Sequence, residues 1–434
     1  MPPGTGADGC PSVDLIGTTK ATSVTKSAKI AQGLQLAKRA LIVGAGIGGL
    51  SAGIALRQAG WDVRVFERAA SLRELGFGVG LSPNAMEALR ELGVGDVVRA
   101  RAWEPSLVEG RRMDGTVLKR AEIPRGLLGG PFVMAMRPDL YGALLDAVGP
   151  DTVTAGAEAR GLSLNGSVVA LHLADGTSVE GDLLVGAEGV HSMVRRHFHP
   201  SEPPPRLSRV VSVRGGVEGA LAHLGGLDAV YYLGPGVESM FIRASATGIY
   251  WFLALAEELL PPDLVRLKAD TTSGLNADAT SGATALLAYV APRFDATFRA
   301  ITSATSELRF DVLVDRDPLP HWGSGVVTLI GDAAHPMLPH TGQGAAQAIV
   351  DAVTLGKMLT PKVDVESTLR AFEAERQSKT SALVRQGRRT ASFMRIRNPV
   401  ACYLRETVLR MLPLKPLMKA YLRVNRRAGT DVES

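Results

Sequence analysis

Cysteine is nearly missing from this chain. Cys10 and Cys402 are the only two in 434 residues and lie near opposite ends, too few for a disulfide framework and without the spacing of a metal-ligand set. No stretch approaches the roughly twenty uninterrupted apolar residues of a membrane span. Residues 1–38 are loose in Gly, Pro, Ser, Thr and Lys and lack the compact apolar core of a secretory signal. Aromatic residues make up only 5% of the chain, and no basic patch is interleaved with stacking rings, which speaks against a nucleic-acid surface. The absences together lead us to expect a reduced, cytoplasmic protein without a metal site. What is present, 46% hydrophobic residues over this length, supports two or more domains with a sizeable core.

Charge is unevenly placed. The formal net charge is +5, yet residues 395–427 carry nine Lys or Arg against the single acid Glu406, a local +8. Apolar residues such as Val400, Tyr403, Leu404, Val408 and Leu417 are mixed among these charges, so the spacing predicts two short amphipathic helices broken around Pro413 and Pro416. Two readings stand for them: a terminal helical pair docked on the body, or peripheral contact with an anionic membrane surface.

Glycine is where the chain becomes specific. Arg39 to Val43 reads as a buried strand, and Gly44, Gly46 and Gly49 follow where a strand turns into a helix over Leu50 to Gln58. In that context Gly44 permits the tight turn, Gly46 lets backbone N–H groups approach a pyrophosphate, and Gly49 lets helix and strand pack closely. A second strand, Trp61 to Phe66, ends in Glu67, eighteen residues after Gly49, where an acid accepts hydrogen bonds from ribose hydroxyls. This is a dinucleotide fingerprint. Nearly three hundred residues later comes a second glycine-rich segment, Leu329-Ile-Gly-Asp-Ala-Ala-His-Pro-Met-Leu-Pro-His-Thr-Gly-Gln-Gly-Ala345, which leads into a helix from Gly344 to Leu355. Between them, Val168 to Val185 alternates as strands with a turn at Asp175-Gly176, and Arg209 to Leu255 is strand-rich. Pro261 to Ala304 reads as a helical or irregular insertion, most loop-like from Asp270 to Thr284.

Four segments carry a resemblance: Gly44 to Gly49 with Glu67-Arg68, Gly78-Val-Gly-Leu-Ser-Pro-Asn84, Asp182 to Arg195, and the Gly331-Asp332 segment. With them the chain resembles the class A (group A) flavoprotein monooxygenases, the family of the p-hydroxybenzoate and salicylate hydroxylases, over about residues 39–400. The resemblance implies an α/β fold: a Rossmann-type, GR2-like FAD-binding domain with an inserted β-sheet substrate domain and a C-terminal helical region. The expected division is a flexible extension over 1–38, a discontinuous FAD-binding domain over 39–110, 135–205 and 320–395, a substrate domain over 111–134 and 206–319, and basic amphipathic helices over 396–434.

The resemblance also implies roles. FAD would be held by Gly44, Gly46, Gly49, Glu67, Arg68, Gly80, Arg137, Asp332, Pro339, Gly342, Gly344 and Ala345, with Asp332 on the ribityl chain. Ser192 and Arg195 lie in a segment associated with FAD and the pyridine nucleotide, and Pro339 and His340 in a loop beside the flavin. Arg214 matches a strand arginine facing flavin or substrate, where a guanidinium stabilises a phenolate or the departing oxygen; paired with an acid, it would instead be structural. NADH or NADPH, visiting transiently, would reduce FAD. Reduced flavin and O2 would form a C4a-hydroperoxide whose distal oxygen passes to an electron-rich aromatic or heteroaromatic carbon. The chain has Glu188-Gly189 where the family has Asp-Gly, and the side chain of Glu188 is expected to hold local backbone N–H groups. A substrate-binding tyrosine known in some relatives is either absent or replaced by Tyr231, Tyr232 or Tyr250. His335 and His321 read as packing residues. The implied protein is a monomer or homodimer acting on a small aromatic molecule. Epoxidation, N-oxidation or rearrangement by the same chemistry, and a non-oxygenating FAD protein, are the alternatives; a flavin halogenase would carry Trp-x-Trp-x-Ile-Pro, which is not found.

Overall fold

The computed structural model describes residues 37–73, 76–127, 129–261 and 278–411. The expected N-terminal extension, the second basic helix and part of the 261–304 insertion lie outside them, apart from the residues at their borders.

A five-stranded, wholly parallel sheet forms the nucleotide-side core. Its spatial order is Val327–Leu329, Leu183–Gly186, Arg39–Val43, Asp62–Glu67, Val153–Ala155. The central strand Arg39–Val43 is buried from Ala40 onward, as a strand covered on both faces must be. The helix Ile47–Gln58 starts three residues earlier than the apolar spacing suggests. It packs against the helix Gly344–Met358 through small residues: a Cβ on Gly356 would lie 2.7 Å from Ala55 Cβ, and one on Gly48 3.3 Å from Ala348 Cβ. Larger side chains there would force the helices apart. Thus the two glycine-rich segments, distant in sequence, open neighbouring helices over one sheet.

The inserted domain is a seven-stranded sheet in the order Glu307–Asp315, Arg206–Glu218, Gly248–Ala256, Val237–Arg243, Ala229–Gly234, Leu107–Arg112, Val117–Glu122. One face carries Val213, Phe241, Trp251, Leu253 and Phe310 and is covered by the helices Asp278–Val290 and Ala296–Ser303. Within the insertion Asp278 to Thr284 is helical rather than loop-like: a run of Ala, Thr, Ser and Gly forms a helix because Ala283, Leu286, Leu287 and Val290 fall at helical spacing onto the sheet. The strand Leu107–Arg112 already belongs to this sheet, pairing in parallel with Ala229–Gly234.

The long helix Val365–Met394 ties sheet and nucleotide domain together. Buried Asp315, at the end of a sheet strand, accepts from Arg388 of that helix (2.9 and 3.2 Å) and from Arg206 (2.9 and 2.7 Å).

The tightest steric demand is at Gly49, where a Cβ would stand 1.9 Å from the carbonyl oxygen of Gly44. Backbone cannot yield as a side chain can, so Gly49→Ala is expected to cost about 3 kcal/mol or more of stability in a urea titration.

Candidate active site

At the first glycine turn, Gly44 has φ +98° and donates its N–H to Phe66 O (2.8 Å). The following helix begins at Gly46 with no side chain capping its amides and no acid in its first turn. A Cβ on Gly46 would meet nothing within 4 Å. A bare, partly positive helix end facing open space suits a pyrophosphate. Glu67 accepts from Ala45 N and Ala69 N, both at 2.9 Å, which points the acid at the same turn. Exposed Arg68 is near enough for its charge to help lower the pKa of His191, after burial and Arg316.

The second segment is held by one buried carboxylate. Asp351 accepts from Gly331 N (2.9 Å), His335 Nε2 (2.6 Å) and Arg376 Nε (2.6 Å). Burial by itself would raise its pKa; the charges of His335 and Arg376 and the hydrogen bonds outweigh burial and hold it at about 2. Arg376 also bonds Gln347, which leads through Gln343 to Ser82 in the Gly78–Asn84 loop. The result is that Gly331 is pinned at φ +57° and Asp332 projects into a cleft. The Asp332 side chain is open to solvent yet so enclosed by cleft walls that burial raises its pKa, against the opposing fields of His335 and Arg137. Its Oδ1 lies 3.8 Å from where a Gly344 Cβ would be. Gly344 starts a helix that, like the first, has no capping side chain and no acid in its first turn. Gly342, at φ +64°, makes the turn into it, Pro339 is exposed, and Ala345 is half-buried against the core. Gly80 sits in a short strand, with a built Cβ 3.4 Å from Met134 Sδ and from Phe132 Cζ.

Arg137 opens the helix Arg137–Val148 and is half-buried; its field reaches both Asp332 and Tyr250. It therefore stands where the cleft meets the inserted sheet. Across that sheet, Arg309, Arg214, Phe252, Met240 and Tyr231 lie side by side in register, all half-buried, while their strand neighbours Val213, Trp251, Phe241, Tyr232 and Phe310 point into the core. To one side Phe77 and Met136 cover Gly216, and Gly78 lies against the Tyr250 ring; to the other, Leu338 and Ala391 pack on Val210, Ala254 and Phe252. The row between them remains open.

Arg214 gives Nε and a terminal nitrogen to Asp311 (3.0 and 2.6 Å), and Arg309 gives Nε to the same acid (2.8 Å). Burial would lower the pKa of Arg214, but Asp311 raises it. Arg214 is thus paired with an acid, as the structural expectation had it, while 32% of its side-chain surface stays exposed along this row. Two arginines share one carboxylate, leaving one positive charge among these three residues. Burial raises the pKa of Tyr250 against the fields of Arg214 and Arg137, so it remains a neutral phenol at neutral pH.

Several expectations change. Arg195 is not available to a ligand: its five donors are used by Glu202, Ala333 O, Ala334 O and Asp317 O, making it a clamp behind the Asp332 turn. Of the three tyrosines, Tyr250 borders Arg214, Tyr232 bonds Asp295 in the core, and Tyr231 donates to Glu238 (2.6 Å), which also meets His340 Nε2 (3.2 Å). Glu188 takes Ser192 Oγ (2.8 Å) and Val194 N (3.0 Å). Its pKa is raised by burial despite these bonds. Asp311, Arg309 and Asp351 were not singled out from sequence, although alternation in Leu308-Arg-Phe-Asp-Val312 sets the first two on one face.

A family model described as FAD binding domain matches residues 38–213 and 313–387. The chain belongs to this family. Aurachin C monooxygenase/isomerase of Stigmatella aurantiaca is 32% identical over 383 residues, covering 86% of this chain and 94% of its own length. The 6-hydroxynicotinate 3-monooxygenase of Pseudomonas fluorescens is 31% identical over 360 residues, covering 80% and 89%. Among solved structures, Klebsiella pneumoniae HpxO complexed with FAD and uric acid superposes with a TM-score of 0.80 at 26% identity, over 90% of this chain and 97% of that one. The chain is thus an FAD-dependent monooxygenase. The open glycine turn, the bare helix ends and the cleft acid of this monooxygenase fit a flavin dinucleotide.

Two outcomes test this geometry. Asp332→Asn is expected to raise the FAD dissociation constant about tenfold, measured by flavin fluorescence, since a charged acceptor is lost. The depressed Asp351 stabilises the fold at pH values above the ordinary aspartate pKa of 3.8, and that contribution disappears as pH falls toward about 2. Asp351→Asn is therefore expected to lower the melting temperature at neutral pH and to flatten its decline through that acid window.

Proposed function

We propose that this monooxygenase hydroxylates a small, electron-rich aromatic or heteroaromatic substrate bearing an ionisable oxygen, using NADH or NADPH and O2. The observation that carries the reading is the half-buried row on the inserted sheet, where Arg214 and Arg309 lie side by side and share Asp311. Bound FAD, once reduced, supplies the oxygen-activating chemistry. The chain's own residues do the rest. Asp311 fixes the plane of the Arg214 guanidinium, so the edge it turns toward Tyr250 is pre-oriented and costs no reorganisation when negative charge develops on a ring oxygen. The surplus positive charge of Arg214, Arg309 and Asp311 taken together favours the ionised substrate, whose ring is the better nucleophile. Phe252, Met240 and the Tyr250 ring supply apolar contacts that keep water from the reacting face.

Relatives named as hydroxybenzoate and hydroxynicotinate monooxygenases support an acidic aromatic substrate. The name of the aurachin C relative favours a second reading, oxygenation followed by rearrangement. An aromatic product one oxygen heavier distinguishes the first from an isomerised, non-aromatic product in the second.

The test is NAD(P)H oxidation, O2 uptake and product mass over a panel of phenolic and hydroxypyridine acids. We expect a substrate that accelerates NAD(P)H oxidation and gains one oxygen; oxidation that no compound accelerates, with hydrogen peroxide as the sole product, would overturn the proposal. With that substrate, Arg214→Met is expected to lower kcat/KM about a hundredfold or more while FAD remains bound.

A further inference from the structure

The helix Pro399–Met411 follows the long helix and is anchored to the body by one face. Cys402, Arg405 and Glu406 are buried; Arg405 donates to Gly234 O (3.0 Å), and Glu406 accepts from Arg112 (2.7 Å). These contacts fix the rotation of the helix. The opposite face is consequently turned outward, and it is apolar: Val400 is 68% exposed, Tyr403 63%, Leu404 57%, Val408 52% and Met411 77%. At 3.6 residues per turn these five form one continuous stripe about 140° wide. Phe393, at the end of the preceding helix, is also exposed, at 44%. Large apolar residues scattered singly on a surface need no explanation, but a stripe fixed outward by buried polar contacts does.

The charge around the stripe indicates what covers it. Glu406, the only acid among residues 395–427, is spent on Arg112. Arg410 at the stripe's border and Arg397 before the helix are exposed, and the following sequence adds Lys415, Lys419, Arg423, Arg426 and Arg427 with no acid before Asp431. A second copy docked on this face would bring two strongly basic segments together, which Coulomb repulsion opposes. An acidic phospholipid surface instead offers apolar depth for the stripe and anions for its border. The helix is far too short to cross a bilayer, and among the described residues no helix is long and apolar enough to do so. We propose that this helix seats the monooxygenase on an anionic lipid surface, lying flat in the headgroup region with Val400, Tyr403, Leu404, Val408 and Met411 inserted.

The test is flotation of the FAD-loaded, full-length enzyme with vesicles of phosphatidylcholine alone or with an equal part of phosphatidylglycerol, comparing wild type with the double variant Leu404→Asp/Val408→Asp. Both positions are exposed and touch neither cofactor nor substrate wall, so flavin absorbance and NAD(P)H oxidation should be unchanged; the basic tail also remains intact. We expect wild type to bind the phosphatidylglycerol vesicles more tightly than the neutral ones, less so at high salt, and the variant to bind at least about tenfold more weakly, as the loss of two inserted apolar side chains predicts. Equal binding to both vesicle types, undiminished binding by the variant, or a wild-type dimer in sedimentation that the variant dissociates would each overturn the proposal.

Discussion

The site depends on one buried carboxylate. Asp351 takes the N–H of Gly331, the imidazole of His335 and the guanidinium of Arg376, and so fixes a turn whose next residue is the cleft acid Asp332. A charge enclosed this fully is costly to bury and is tolerated only when every lone pair is answered. Here the answers come from three separate places: the turn, the loop after it, and the long helix. The same helix reaches the substrate sheet through Arg388 and Asp315. The Asp332 turn and the inserted sheet are thereby referred to one helix, which in the proposed function suits a reaction sensitive to the placement of the reacting groups.

The inserted sheet follows a different logic. Its core face is filled by aromatic and branched residues under two helices. Its other face is left open along a single row, bounded by the Phe77–Gly78 segment on one side and by Leu338 with Ala391 on the other. In the proposed function, specificity resides in a few side chains of that row. The shared Asp311 holds Arg214 and Arg309 as one oriented pair.

How much of this was legible in the sequence varied with the range of the interaction. The glycine turn, its helix and the acid Glu67 are local, and their placement could be read from the sequence. The second glycine segment was recognisable as a motif, but its support was not. Asp351, His335 and Arg376 lie at separations of 16 and 25 residues, and no periodicity announces a meeting across two helices. Arg195 shows the opposite failure: it stands in a family motif, yet folding spends all its donors on carbonyls and Glu202, so what it holds is the Ala333–Ala334 backbone. Arg214 was placed correctly on a strand, but whether it was free or paired required Asp311, which lies 97 residues away. The helix over Asp278 to Thr284 escaped because the weak helix formers Asp, Thr, Ser and Gly outnumber Ala there; packing of Ala283, Leu286 and Leu287 decided it.

The central claim is that Asp351 acts on the cofactor through the Gly331–Asp332 turn. A double-mutant cycle on FAD binding tests it directly, using Asp332→Asn, Asp351→Asn and both together at neutral pH, with dissociation constants taken on the folded fraction. If Asp351 works by presenting Asp332, its substitution should weaken FAD strongly in the wild-type background and little once Asp332 is already Asn, a coupling of about 1 kcal/mol or more. Effects that add to within about 0.5 kcal/mol would contradict the account.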